Sequence, residues 1–271
     1  MPIPTPASDR TCIVTGASSG IGTEIARTLA ARGHGVTLVA RRLDRLDRLA
    51  DQLRSHHGVR AEVVVADLVE PDQRRAVVAA VEERGLTPEV LVNNAGFSTV
   101  GPVAEVDPGR EIAMIRTNVE AVDHMCALVL PGMLERGRGA ILNVSSTASY
   151  QPLPGQAGYA ASKAYVRTFS TALAGEVGPR GITVTTLCPG PVRTEFSDVS
   201  GLGDLDGGNP LPPLMWVGVA EVARAGVDAL EDGRLVCIPG TANRVVAAIA
   251  HVTPRQLLLP LVGRGHPSLR P

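Results

Sequence analysis

Tyr159 and Lys163 stand four residues apart at the start of a helical stretch, a spacing that puts both side chains on one helix face. A free phenol ionises near pH ~10, too high for a base near neutrality, and a neighbouring ammonium favours phenolate and lowers that value. The pair could therefore pass a proton to or from an oxygen, although a surface tyrosine and lysine would show the same spacing. A second candidate is Thr15-Gly16-Ala17-Ser18-Ser19-Gly20-Ile21-Gly22, where an apolar run turns into a helix. Gly16 permits the tight turn, Gly20 lets backbone approach a pyrophosphate and Gly22 allows close helix packing, while the helix N-terminus offers unpaired N–H groups to anionic oxygens. Taken alone, the loop is also compatible with a plain turn or a methyltransferase nucleoside site. Folds that select NAD place an acid roughly 20 residues beyond such a loop. Here Val39-Ala40-Arg41-Arg42 carries none. Two guanidinium groups, Arg41 with Arg42 in support, instead suit bidentate contact with a 2′-phosphate, which predicts NADP(H), the alternative being the solvated basic start of an Arg-rich helix.

These residues must be positioned by elements that alternate along the chain. Apolar, β-branched runs at Cys12–Thr15, Val36–Ala40, Glu62–Ala66, Val90–Val92, Ala140–Val144, Thr183–Leu187 and Leu235–Ile238 read as buried strands. Helical spacing covers Ile21–Ala31, Leu43–Ser55, Gln73–Arg84, Arg110–Glu135, Ala160–Val177 and Ala220–Leu230. The alternation predicts an α/β fold, a doubly wound (Rossmann) seven-stranded parallel sheet with helices on both faces, in a single domain over residues 1–271. A ligand would then sit at the carboxyl ends of the strands. Pro191–Val219 holds too many glycines and prolines for one element and reads as a lid over that site.

Bulk properties exclude several functions. The 271 residues carry a formal net charge of −1, a balance that gives no overall pull toward nucleic acid or an anionic membrane, and no basic run stands out. Cys12, Cys126, Cys188 and Cys237 lie singly in apolar surroundings without metal-ligand spacing, as expected of reduced core thiols, and no metal site is expected. The first ten residues lack a signal peptide's apolar stretch, and Val245–Ala250 and Leu257–Val262 fall well short of the ~20 residues that span a bilayer, so a cytoplasmic protein without a transmembrane segment is expected.

From Thr11 to about Ile238 the chain resembles a single-domain, NADP-preferring short-chain dehydrogenase/reductase. TGASSGIG, Asp67 after the third strand, Asn93-Asn94-Ala95-Gly96, Asn118, Ser145-Ser146, Tyr159-Ala-Ala-Ser-Lys163 and Pro189-Gly190-Pro191-Val192-Arg193-Thr194 occur in that family's order. The resemblance implies hydride transfer between NADP(H) and a carbonyl or alcohol, with Tyr159 as acid/base. It also implies that Ser146, 13 residues before Tyr159, bonds the reacting oxygen. Lys163 would hold the ribose hydroxyls and lower the tyrosine pKa, and Asn118 would anchor a water relay. Asp67 and Leu68 would meet the adenine, and Asn94, Ala95 and Gly96 the adenosine half. Pro189, Gly190, Val192 and Thr194 would grip the nicotinamide end, although Gly190 and Asn93 could simply shape turns. A non-catalytic NADP sensor and a nucleotide-sugar epimerase are the rival classes. The first is disfavoured by the intact Asn118, Ser146, Tyr159 and Lys163, the second by the absence of a larger sugar-binding region.

The resemblance further implies a homodimer or homotetramer pairing through the helices around Arg110–Glu135 and Ala160–Val177. Phe196, Leu202, Leu205, Leu211, Leu214, Met215, Trp216 and Val217 predict an apolar pocket for a ketone or aldehyde beneath the lid, unless they belong to the core or an interface. Beyond about Gly240 the resemblance weakens. That extension could cover the substrate mouth, meet a partner subunit or rest on a membrane surface.

Overall fold

The computed structural model describes residues 3–196, 200 and 212–265. Seven strands pair in parallel in the order β3-β2-β1-β4-β5-β6-β7: β1 Arg10–Thr15, β2 Val36–Ala40, β3 Ala61–Val65, β4 Thr87–Asn93, β5 Gly139–Val144, β6 Ile182–Leu187 and β7 Val236–Cys237. All seven expected runs became strands, because a sheet covered on both faces needs residues that are apolar on both sides.

Between the strands run α1 Gly20–Ala31, α2 Leu43–His57, α3 Pro71–Glu83, α4 Pro108–Ile115, α5 Ala121–Arg136, α6 Ala157–Val177 and α7 Val219–Glu231; α8 Thr241–Val252 and α9 Arg255–Gly265 follow β7. Successive strand residues point to opposite faces. Val14, Leu38, Val92 and Leu142 therefore join α1 and α7 through Ile25, Leu29, Val222 and Val227. On the other face Ile13, Val39, Leu91 and Ile141 join α3, α5 and α6 through Val77, Val81, Met125, Met133 and Leu173. Strand order reverses between β1 and β4, so a crevice opens outside their carboxyl ends.

The helix expected over Arg110–Glu135 forms from Pro108 to Arg136 and contains one irregular turn. A π-helical turn, Arg116–Glu120, separates α4 from α5. Its cause is Asn118, a polar side chain with no exposure, whose amide is satisfied away from its own helix. Nδ2 donates to the Phe97 carbonyl at 2.9 Å and to Ser162 Oγ at 3.1 Å, while Oδ1 accepts from the Phe97 N–H at 3.2 Å. A widened turn accommodates that diversion.

Arg74 of α3 fastens the same turn and was not singled out by the sequence. It is fully buried, donating to the Leu68 carbonyl at 2.6 Å, the Val69 carbonyl at 2.9 Å and Glu120 at 2.8 Å. An aliphatic residue there leaves those acceptors without their donor, so Arg74→Met is expected to cost about 3 kcal/mol. The measurement is the urea midpoint at unchanged slope, and a midpoint equal to the parent's would show that the clamp is dispensable.

Candidate active site

The glycine loop follows β1 and leads into α1 at the point where the strand order reverses. Gly16 has φ +65°, and a Cβ there would stand 2.8 Å from both the Ala95 Cα and Asn94 Nδ2. At Gly22 a Cβ would collide with Asn94 Nδ2 and the Gly16 carbonyl. Asn94 thus braces the loop: Nδ2 donates to the Thr15 carbonyl at 2.9 Å and the Gly16 carbonyl at 3.3 Å, and its N–H donates to Thr15 Oγ1 at 2.9 Å. A backbone turn with no room for side chains, opening at a helix N-terminus, fits a dinucleotide pyrophosphate. Ile21 and Val192 are half-buried and pack on the adjoining core, and Leu68 and Ala95 pack on the opposite one.

Ser146, Tyr159 and Lys163 converge beside the end of β5. Ser146 starts the short 3₁₀ turn Thr147–Tyr150, accepting from the Ala148 N–H at 3.1 Å, and its hydroxyl hydrogen-bonds the Tyr159 phenol. Ser145 is spent differently, donating to the Lys163 carbonyl at 2.8 Å. Lys163 Nζ donates to the Val144 carbonyl at 3.0 Å and stands 5.8 Å from the Tyr159 ring centroid. Gly96, expected against the adenosine half, stands beside this group: a Cβ on it would lie 2.8 Å from Asn118 Oδ1 and 3.4 Å from Lys163 Nζ, so its lack of a side chain leaves room for both.

Burial governs the titration of the pair. Removal from water pushes Tyr159 up to about 12, opposed by the Ser146 hydrogen bond. The same loss of hydration brings Lys163 down to about 8. In this arrangement burial sets the direction of the phenol's shift, while the Lys163 amine is aimed at the Val144 carbonyl.

The arginines divide the other end of the crevice unequally. Arg42 reaches the loop, with Nε at 3.2 Å and Nη2 at 3.0 Å from Ser18 Oγ, and Nη2 at 2.9 Å from Ser19 Oγ. Arg41 is largely exposed and pairs loosely, at 3.7 Å, with Asp67. Glu195, which the sequence reading passed over, bridges Arg42 and Arg45, and these two cations hold its carboxyl below the usual range. Thr194 lies over Gly20, where a Cβ would come within 3.2 Å of it. Pro189 is buried, its carbonyl accepting from the Thr147 N–H at 2.8 Å.

Around Tyr159 the wall is apolar. Met114 and Ala148 are buried with it, Phe97, Leu153 and Phe196 pack against them, and the Phe196 ring lies 5.7 Å from the phenol ring. Of the other residues expected beneath a lid, Val217 belongs to the main core, Leu214 is exposed, and Trp216 packs under the Arg193 guanidinium. Leu202, Leu205 and Leu211, with the glycines of the expected lid, lie outside the described residues.

A further residue had no signal in the local sequence. Asn243 of α8 is fully buried against Gly190, where a Cβ would collide with its amide, and it donates to the carbonyls of Met215 at 3.0 Å and Pro239 at 3.1 Å. Gly190 therefore does more than shape a turn, since it admits the side chain that ties the extension to the Pro189–Thr194 segment.

The family model described as short chain dehydrogenase matches residues 10–201. The chain belongs to this family. A very-long-chain 3-oxoacyl-CoA reductase of Anas platyrhynchos is 42% identical over 192 residues, a match covering 69% of this chain and 61% of that protein. Among solved structures, a short-chain dehydrogenase from Sphingobium yanoikuyae in complex with NADPH superimposes with a TM-score of 0.78 at 34% identity, covering 93% of this chain and 95% of its own. A bulky-bulky ketone specific alcohol dehydrogenase from Comamonas testosteroni gives a TM-score of 0.75 at 29% identity, covering 96% and 97%. As a short-chain dehydrogenase, this chain is an oxidoreductase built on a nucleotide-binding Rossmann fold.

Lys163 is the only lysine of the chain, every other cationic side chain of the Lys/Arg class being arginine. Protein labelled with ¹³C-lysine should therefore give a single side-chain Cε signal, ammonium below and amine above a midpoint near pH about 8. A midpoint at about 10, the ordinary lysine value, would show that burial does not control this amine.

Proposed function

We propose that this short-chain dehydrogenase reduces an apolar ketone or aldehyde with NADPH, returning the secondary or primary alcohol. The observation that carries the reading is Tyr159, buried in an apolar wall, bonded to Ser146 and beside a buried lysine at the carboxyl edge of the sheet. The bound nicotinamide supplies the hydride when the cofactor is present. The protein's own part is the proton. Tyr159, held near 12, keeps its hydrogen at neutral pH and donates it to the carbonyl oxygen as that oxygen gains negative charge. Ser146 donates a second hydrogen bond to the same oxygen, exchanging the phenol for the substrate as partner. Lys163, near 8, holds a replaceable proton at physiological pH and is assigned to the ribose hydroxyls. Asn118 is a positioning residue on this reading, because its amide is occupied by Phe97 and Ser162.

For the cofactor, Gly16, Ser18, Ser19, Gly20, Ile21 and Gly22 are assigned to the pyrophosphate turn. Asp67, Leu68, Asn94 and Ala95 are assigned to the adenosine side, and Pro189, Gly190, Val192 and Thr194 to the nicotinamide end. Arg42 takes the leading part at the 2′-phosphate, with Arg41 in support, since Arg42 is the guanidinium seated on Ser18 and Ser19. The NADPH complex of the Sphingobium protein and the ketone specificity of the Comamonas enzyme support both halves of the reading.

The chemistry is tested by NADPH oxidation over a homologous series of ketones. Efficiency should rise with chain length, by up to about fourfold per methylene that enters the pocket. Tyr159→Phe should cut turnover at least about a hundredfold while retaining NADPH binding. Near-full turnover in that variant would remove the mechanism, and a preference for short charged ketones would remove the apolar pocket.

Cofactor choice is tested separately. Arg42→Ala should raise the KM for NADPH by tenfold or more, on the order of one lost charged contact, and leave NADH nearly unchanged, with Arg41→Ala milder. A parent enzyme that uses NADH as well as NADPH overturns the assignment.

A further inference from the structure

The extension after β7 is one-sided in both burial and charge. Along α8 only Asn243, Ala247 and Ala250 are buried, a narrow stripe facing the body of the protein. Val245, Val246, Ile249 and Val252 point the other way, with Ile249 58% and Val252 77% exposed. On α9, Leu258 is buried while Leu257 is 64% and Leu259 48% exposed. Six large aliphatic side chains on two consecutive helices thus face outward, more than the scattered exposure that needs no explanation.

The charges of the same segment have one sign. Residues 241–271 contain Arg244, Arg255, Arg264 and Arg270, with His251 and His266, and no aspartate or glutamate. The net charge of −1 hides this, because residues 1–240 carry 22 of the 26 Lys and Arg and all 27 of the Asp and Glu. The overall balance therefore says nothing about the pull of this one face.

We propose that the outward face of α8 and α9 docks on an anionic lipid surface. Aliphatic side chains would enter the headgroup boundary and the exposed Arg244 would meet a lipid phosphate, as interfacial helices do. Among the described residues no helix is long and apolar enough to cross a membrane, so the face lies on the bilayer rather than through it. A second copy of this chain fits less well, because a two-fold contact sets the patch against itself and the segment offers no carboxylate to pair with its arginines. The pad is also firmly mounted. Tyr150, Cys188, Ala247, Ala250 and Leu258 form one buried cluster, and Arg255 donates to the Tyr150 carbonyl at 2.7 Å, at the end of the 3₁₀ turn that Ser146 opens. A docked α8–α9 therefore lies close to the apolar wall of the site.

The test is co-sedimentation of the full chain with vesicles of phosphatidylcholine alone and of phosphatidylcholine mixed with phosphatidylglycerol. The mixed vesicles should bind the protein, more weakly as salt rises, and the neutral ones should bind little. Arg244→Gln should weaken binding about fivefold, the share of one arginine at a charged surface. Ile249→Ser combined with Val252→Ser should weaken it at least about tenfold, with the far-UV spectrum and melting temperature kept. Equal binding to both vesicle types, or binding untouched by the Ile249 and Val252 changes, overturns the proposal. So does an absence of vesicle binding, and if light scattering then shows a dimer that these substitutions dissociate, the face belongs to a second copy.

Discussion

Placing the Lys163 amine inside the protein costs several kcal/mol of lost hydration unless polar groups meet it, and the end of β5 supplies such a group. Val144 presents its carbonyl to Nζ, and Ser145 holds the backbone carbonyl of Lys163 itself. Behind them a buried polar seam runs across the sheet: Asn93 Nδ2 donates to Asn143 Oδ1 at 2.9 Å, and Asn143 Nδ2 to Ser170 Oγ at 2.9 Å. These bonds join β4, β5 and α6 where alternating apolar residues alone would leave their relative height free. Fully satisfied polar networks fix one arrangement of a core in this way. The π-helical turn carries Asn118 to Phe97 and Ser162, beside the glycine that leaves space for Lys163.

At the cofactor end, charge rather than burial sets the geometry. Arg42, the Ser18 and Ser19 hydroxyls and Glu195 form a half-exposed cluster, so their attraction is screened and each contact is individually weak. Glu195 follows directly on Thr194, which places the carboxylate of one segment on the cations of another. The two ends of the crevice thus differ in kind: in one, unpaired polar groups would be costly because they are buried, and in the other water can take the place of a partner.

What the sequence by itself determined was whatever local periodicity and steric necessity encode. Strand positions, the helices between them and the parallel doubly wound order follow from apolar runs alternating with helical spacing. The glycine turn follows from positions where a side chain has no room, and the Tyr159–Lys163 pairing from the helix repeat. Only the tertiary structure decided which guanidinium faces the loop, because Arg41 and Arg42 are neighbours in sequence but their partners, Asp67 on one side and Ser18, Ser19 and Glu195 on the other, come from separate strand ends. The titration of Lys163 and Tyr159 was likewise beyond reach of spacing, since it depends on how much water the packed helices exclude. Asn243 and Arg74 had no local signature either. Each is a polar residue inside an ordinary helical pattern, and its burial against Gly190 or the Leu68–Val69 carbonyls exists only after distant segments have packed.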